Sequence, residues 1–128
     1  MPSIINKYIV SLTTNEKIEA VIPAERLSSV NSELKKIGSY GITCFDSKGR
    51  GQIPIKELQT ARGTGRYTPE FNTNCSIFIV VRDSDADKVI QAIVNTASTG
   101  LAGEGKIYVS NIDEAIDIAT KARGESVL

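Results

Sequence analysis

The run GLAGEGKIYV, Gly100 to Val109, sets glycines and one lysine at the spacing G-x-x-x-x-G-K. That spacing can wrap a phosphate in a P-loop, where backbone N–H groups and a helix N-terminus face the anion. A P-loop also needs Ser or Thr directly after the lysine to hold Mg²⁺, a strand before the glycines and a helix after them. Here Ile107 takes the hydroxyl position, a helical pattern precedes Gly100, and the β-branched and aromatic run Ile107-Tyr108-Val109 follows. The order is inverted, which excludes a P-loop. Glycines still let a backbone approach a ligand closely, and consecutive N–H groups form an anion-binding nest that Lys106 would complement. For Gly103 to Lys106 taken alone, an ordinary helix-to-strand turn with a solvated lysine is the simpler reading.

Other chemistry is limited by what the chain lacks. With no histidine, the commonest general base and the commonest metal ligand are both missing. His-assisted serine or cysteine hydrolysis is excluded, and an enzyme would have to use carboxylates, lysines or a bound cofactor. Glu104 or Asp117 with Lys106 is the pairing on offer. Cys44 and Cys75 lie in strand-like runs without metal-ligand spacing and are expected to be buried thiols. Fifteen basic residues balance fifteen acidic ones, giving no general attraction to nucleic acid or an anionic membrane. No run of about 18 apolar residues or signal-like leader occurs. A soluble cytoplasmic protein with no direct membrane insertion is expected.

The elements that must position the glycine run follow from periodicity. Lys17 to Ile22 alternates before becoming wholly apolar, which predicts a strand ended by Pro23. Leu27, Val30, Leu34 and Ile37 fall on one stripe of a helix from Ala24, with Gly38 suited to a left-handed C′ position. Gly41 to Phe45 predicts a second strand and Cys75 to Val81 a third. Asp83 or Ser84, the latter with Asp87, could cap a helix whose buried face is Val89, Ile90, Ile93, Val94 and Ala97, ending at Gly100. A strand from Lys106 to Ser110 follows. Two β-α-β units, with no helix between the second and third strands, predict an α+β fold: a ferredoxin-like βαββαβ sandwich of one antiparallel sheet with two helices on one side. Tyr8 to Leu12 reads as an extra N-terminal strand and Ile112 to Ala122 as a short amphipathic C-terminal helix. The whole of 1–128 is expected to be one domain, with residues 1–14 an N-terminal extension.

Between the second and third strands lie the residues Gly49 to Thr73, a stretch of glycines, prolines and polar side chains. Connections longer than ~12–15 residues are uncommon and are usually functional or disordered. A loop that becomes ordered on a ligand or partner is one reading; a flexible insertion without a role is the other.

These pieces together resemble the PII signal-transduction family. The resemblance rests on Lys48-Gly49-Arg50-Gly51-Gln52, Glu57-Leu58, Arg62-Gly63, Thr99-Gly100, Gly103 through Val109, and the ending Arg123 to Leu128. It implies a homotrimeric, non-enzymatic regulator that binds an adenine nucleotide in clefts between subunits. It also implies a target protein, such as a membrane transporter or a nitrogen- or carbon-metabolism enzyme, controlled through residues 49–73 as the flexible T-loop. Residue by residue, it places phosphates on Gly103, Glu104, Gly105 and Lys106, the adenine near Thr43 and Val80, and further ligand contacts on Gly49, Arg50, Gly51 and Gln52. Arg62, Arg66 and Tyr67 fall on the T-loop where a partner or a modifying enzyme would act. It implies no catalytic residues and no resident metal; whether Mg²⁺ accompanies the nucleotide is left open.

The chain also departs from that pattern. Gly51-Gln52 lacks an intervening arginine, Asn74 replaces the lysine that clamps 2-oxoglutarate, and Asp117 and Ala119 replace two phosphate-binding arginines. These losses imply a preference for AMP, ADP or cyclic AMP over ATP, and little or no response to 2-oxoglutarate. Two rivals stand beside the regulator: a slow nucleotide hydrolase on the same fold, and a structural trimer with a vestigial cleft.

Overall fold

The computed structural model describes residues 15–38, 40–51, 58–59, 63, 65–98, 100, 105–124 and 127–128. The expected strand Tyr8–Leu12 lies outside them.

Strand β1, Asn15–Pro23, buries Ile18, Ala20 and Ile22 on one face, as the two-residue period of a strand requires. Pro23 has no N–H to donate and closes it. A 3-10 turn, Ala24–Arg26, leads into helix α1, Leu27–Ile37, which buries Val30 and Leu34 and leans Leu27 and Ile37 on the core. Strand β2 spans Thr43–Gly49, β5 Asn72–Arg82 and β6 Lys106–Ile112; helix α2 spans Asp83–Ala97. The four long strands form one antiparallel sheet in the order β2-β5-β1-β6. Both helices pack on the face where Ile18, Ile77, Ile79 and Val81 meet Val30, Leu34, Val89 and Ile93. This is the expected ferredoxin-like sandwich.

Several details differ from the sequence reading. Strand β2 begins two residues later and runs on to Gly49, while β5 begins at Asn72, so the long connection is shorter at both ends. Within it, β3, Leu58–Gln59, pairs antiparallel with β4, Arg66–Tyr67. Gly38 is extended (φ 167°, ψ 159°) rather than left-handed, and it is needed for space: a Cβ there would lie 2.7 Å from the Tyr40 ring. No side chain caps α2, because Asp83 and Ser84 are already helical and Arg82 holds the N-cap position. Asp83 and Asp85 in the first turn still favour the helix through its dipole. Ala86 and Ala92 join the buried face, whereas Val94 is 43% exposed. Cys75 is buried but Cys44 is exposed, because β2 is an edge strand.

The expected C-terminal helix does not form. Beyond β6 the chain makes a hairpin in which Ile116 bridges Arg123, Asp117 and Ala122 are joined by a backbone hydrogen bond, and the Gly124 N–H donates to the Ala115 carbonyl. The cause is local: the Asp117 carboxylate accepts the N–H groups of Ala119 and Thr120, each at 2.9 Å, which turns the chain rather than winding it. Lys121 (φ 62°) and Gly124 (φ 85°) are left-handed, which a continuous helix does not accommodate.

Where β1 meets α2, Glu16 stands near Asp83 and Asp87. Its carboxyl is raised above the ordinary 4.5, first by a hydrogen bond to Asp83, then by burial and by the two negative charges. A carboxyl raised in the folded state contributes most to stability at low pH, and that contribution is lost as pH rises above 4.5. Glu16→Gln keeps a donor toward Asp83 without the charge. It is expected to raise the melting temperature at pH 7 and give no gain near pH 4, as scanning calorimetry at the two pH values will show.

Candidate functional site

The glycine run lies where α2 hands over to β6. This helix-loop-strand order is the reverse of a P-loop, as the sequence indicates. Gly103 and Glu104 lie outside the described residues. Gly105 passes so near β1 that a Cβ on it would collide with the Val21 carbonyl oxygen, and only glycine fits this approach. Lys106, exposed, opens β6 and pairs with Val21. Here the backbone runs at the sheet edge with a cation beside it, an arrangement suited to an anion.

A cleft of about 360 Å³ adjoins this point, bounded by Val21–Pro23, the last two turns of α2 and Gly105–Ile107. Its α2 wall is Ile90, Ile93, Val94 and Ala97, with Ser98 at the end. The helix presents its C-terminal, partially negative end here, and its last turn carries no basic residue. The wall therefore suits apolar groups, and an anion is favoured only on the Gly105–Lys106 side. Val94, placed on the buried face by its helical spacing, is exposed and lines this wall, and its position in the sequence did not mark it for that role.

Thr43, Gly49, Arg50, Gly51 and Val80 lie elsewhere. Thr43 and Gly49 are the two ends of β2, paired with Phe78 and Asn72, and Arg50 and Gly51 follow directly. Gly49 packs against Asn74, whose Nδ2 would lie 3.2 Å from a Cβ. Val80 is on β5, one strand in, on the sheet face that carries no helix. Gln52 and Arg62 lie outside the described residues. Arg66 and Tyr67 form β4, both exposed.

These residues form two separate groups. In the order β2-β5-β1-β6 the Thr43–Gly51 group and the Gly105–Lys106 group occupy opposite edges. Three strand spacings of ~4.8 Å separate them, roughly 14 Å. One chain does not bring them together.

Among the described residues, the helix-free face between the two edges is largely uncovered. Phe45 and Tyr108 are 54% and 57% exposed, with Phe78 and Val80 partly so. Lys17 lies across it, its Nζ 4.8 Å from the Phe78 ring centroid and 2.8 Å from Glu19 Oε1. Nearby Ser76 donates a 2.8 Å hydrogen bond to Ser47.

Asp117 is a weaker base than an ordinary carboxylate but stays ionised, so it keeps its negative charge. Its carboxyl is held below the ordinary 3.8, chiefly by the Thr120 N–H and hydroxyl, and it is committed to its own turn. It also lies beyond the far end of β6 from Lys106, so the pair Asp117–Lys106 is not assembled within one chain. Among the described residues no cluster of Cys, Asp and Glu could hold a metal ion, and no helix is long and apolar enough to cross a membrane.

Comparison with known proteins gives the same frame. The family described as Nitrogen regulatory protein P-II matches residues 15–122. Nitrogen regulatory protein P-II of Rhizobium meliloti (strain 1021) is 38% identical over 109 residues, 85% of this chain and 96% of that protein. Nitrogen regulatory protein P-II 2 of Methanothermobacter thermautotrophicus is 36% identical over 114 residues, 88% of this chain and 96% of that one. The crystal structure of Arabidopsis thaliana PII bound to citrate superposes with a TM-score of 0.71 at 30% identity, covering 89% of this chain and 92% of that one. With the sandwich, the strand order and the edge glycine run already in place, these likenesses settle kinship: the chain belongs to the nitrogen regulatory protein P-II family.

Proposed function

We propose that the chain is a non-enzymatic regulatory sensor that binds an adenine nucleotide between copies of itself and signals to a target protein through residues 49–73. The observation that carries this reading is the placement of the two candidate groups on opposite edges of one sheet. A site using both is completed only when the β2 edge of one copy meets the β6 edge of the next, a head-to-tail contact that closes into a ring. The bare sheet face with Phe45 and Tyr108 supports assembly, because exposed apolar patches of this kind mark interfaces. A homotrimer is the proposed ring.

In this site Gly105 and Lys106, with Gly103 and Glu104, take the phosphate. Thr43 and Val80 of the adjoining copy take the base, and Gly49 to Gln52 close over the ligand. Arg62, Arg66 and Tyr67 serve the partner, a transporter or a metabolic enzyme. Ligand acts by favouring one arrangement of 49–73 over another, which requires different affinity for the two.

Asp117 and Ala119 stand where two arginines would hold terminal phosphates, and the Arg123 guanidinium is paired with Glu114 Oε1 at 2.7 Å. Each missing charge-assisted hydrogen bond is worth ~1.5–3 kcal/mol, so two lower ATP affinity by roughly a hundredfold to ten-thousandfold. AMP, ADP or cyclic AMP should therefore bind more tightly than ATP, and 2-oxoglutarate weakly. Calorimetry with the four nucleotides and 2-oxoglutarate, with and without Mg²⁺, tests this. Tight Mg²⁺-dependent ATP binding enhanced by 2-oxoglutarate would contradict the preference, while steady turnover of ATP or ADP would favour the hydrolase.

A further inference from the structure

Cys44 and Cys75 have no ligand spacing along the chain, yet the sheet makes them neighbours. In the β2–β5 register Cys44 is opposite Ile77 and Asp46 is opposite Cys75, so the two thiols are diagonal to each other on adjacent strands. They share the helix-bearing face, because Cys75 and Ile77 belong to the core there and residues two apart on a strand point the same way. Cys44, on the edge strand, is exposed, whereas Cys75 is buried.

Their spacing decides which chemistry is open to them. Diagonal neighbours in an antiparallel pair have Cα atoms ~7–8 Å apart, whereas a disulfide needs ~4.4–6.8 Å. Closing one would drag β2 against its register. A metal ion between the sulfurs relaxes the limit: two bonds of ~2.3 Å hold them ~4.6 Å apart, against ~2.05 Å in a disulfide, which adds ~2.5 Å of reach. The diagonal spacing falls within that wider range.

The donors select the ion. The chain has no histidine, and among the described residues no group of three or more thiols and carboxylates could hold a metal. Tetrahedral zinc, calcium and magnesium therefore have too few ligands. Soft thiolates select Cu(I), a d10 ion that accepts two sulfurs in line. Charge agrees. The Cys75 thiol is pushed above its ordinary 9.0 first by burial, then by the negative charges of Cys44 and Asp46. The charges that disfavour a second bare thiolate favour a cation in place of its proton. Little is lost in the exchange, since the hydrogen bond from the Cys75 thiol to the Ser76 carbonyl is 3.9 Å long.

We propose that Cys44 and Cys75 form a two-coordinate site for a soft cation of the Cu(I) class, entered from the β2 edge. Two thiol protons leave to solvent as two metal–sulfur bonds form, and no electron is transferred. The site lies on the opposite sheet face from Thr43 and Val80, apart from the proposed nucleotide contacts. An ion bound there ties β2, the strand that leads into residues 49–73, to β5.

The test titrates the reduced full chain with Cu(I) in the absence of oxygen, against bicinchoninate as a competing chelator. One Cu(I) per chain should be taken from the chelator, with an ultraviolet thiolate-to-metal absorption and a raised melting temperature. Cys44→Ser and Cys75→Ala should each lower the affinity at least about a hundredfold, since one of two metal–sulfur bonds is lost. Circular dichroism melts report folding; the exposed Cys44 predicts a folded variant, so Cys44→Ser and the stoichiometry decide the matter even where Cys75→Ala does not fold. Failure to compete with the chelator overturns the site. So does unchanged affinity in either folded variant, or one Cu(I) for every two chains, which would mean Cys44 thiols shared between copies.

Discussion

Gly105→Ala is expected to lose stability and nucleotide binding together. The added Cβ would meet the Val21 carbonyl oxygen, a backbone atom of the central strand β1 that cannot swing aside as a long side chain can. Separating β6 from β1 breaks the register Val21–Lys106 and Ala20–Ile107 at its start. Forcing extra volume into a packed site costs ~1–3 kcal/mol, about 3–15 °C in melting temperature for a domain of this size. The shift also moves the backbone N–H groups and Lys106 proposed to hold phosphate. Thermal unfolding and calorimetry on the same sample check it. A variant that melts with wild type and binds normally would show that β6 has slack at this point.

Ile93→Ala carries the largest expected effect on folding. Ile93 is 1% exposed, belongs to the core that joins both helices to the sheet, and lines the cleft as well. Truncating a buried isoleucine costs ~2–5 kcal/mol through lost burial and the cavity left behind. Against a total of ~5–15 kcal/mol, that is a large share of the stability. Because the side chain separates the core from the cleft, its loss joins the new cavity to the existing one. Chemical denaturation should show a lower midpoint with an unchanged slope. A change under about 1 kcal/mol would mean that the site collapses to fill the gap.

The two positions illustrate what the sequence could carry. The core was legible because strand and helix periods are local: Ile18, Ala20 and Ile22 alternate, and Val30, Leu34, Val89 and Ile93 recur at helical spacing. The glycines read as letting the backbone approach a ligand; what the structure shows at Gly105 is an approach to the Val21 carbonyl oxygen of β1, a contact between strands that no local pattern marks. The C-terminal arm was misread, since Ile112, Ala115, Ile116 and Ala119 fall at helical spacing while Asp117 and Gly124 act through turn geometry that a hydrophobic pattern does not register. The capping box before α2 failed for the opposite reason: Ser84 and Asp87 have the right spacing, but the helix had already begun at Asp83. Strand β2 slid toward the long connection because an exposed edge strand is specified by pairing with Cys75 and Ile77 rather than by its own apolar content. The distance between the two halves of the candidate site depends on strand order, a tertiary property that only the resemblance to relatives could anticipate.

The most direct measurement of the shared site is complementation between two defective chains. Lys106→Ala damages the β6 edge and Arg50→Ala the end of β2, and each variant alone should bind nucleotide poorly. Refolded together in equal amounts, they should recover about one quarter of the wild-type binding sites, because random neighbours in a head-to-tail ring join one intact edge of each kind at that frequency. Recovery near that fraction by calorimetry is the predicted result. No recovery, from mixed assemblies shown by mass spectrometry to contain both chains, would place both residues in one chain's site and contradict the account.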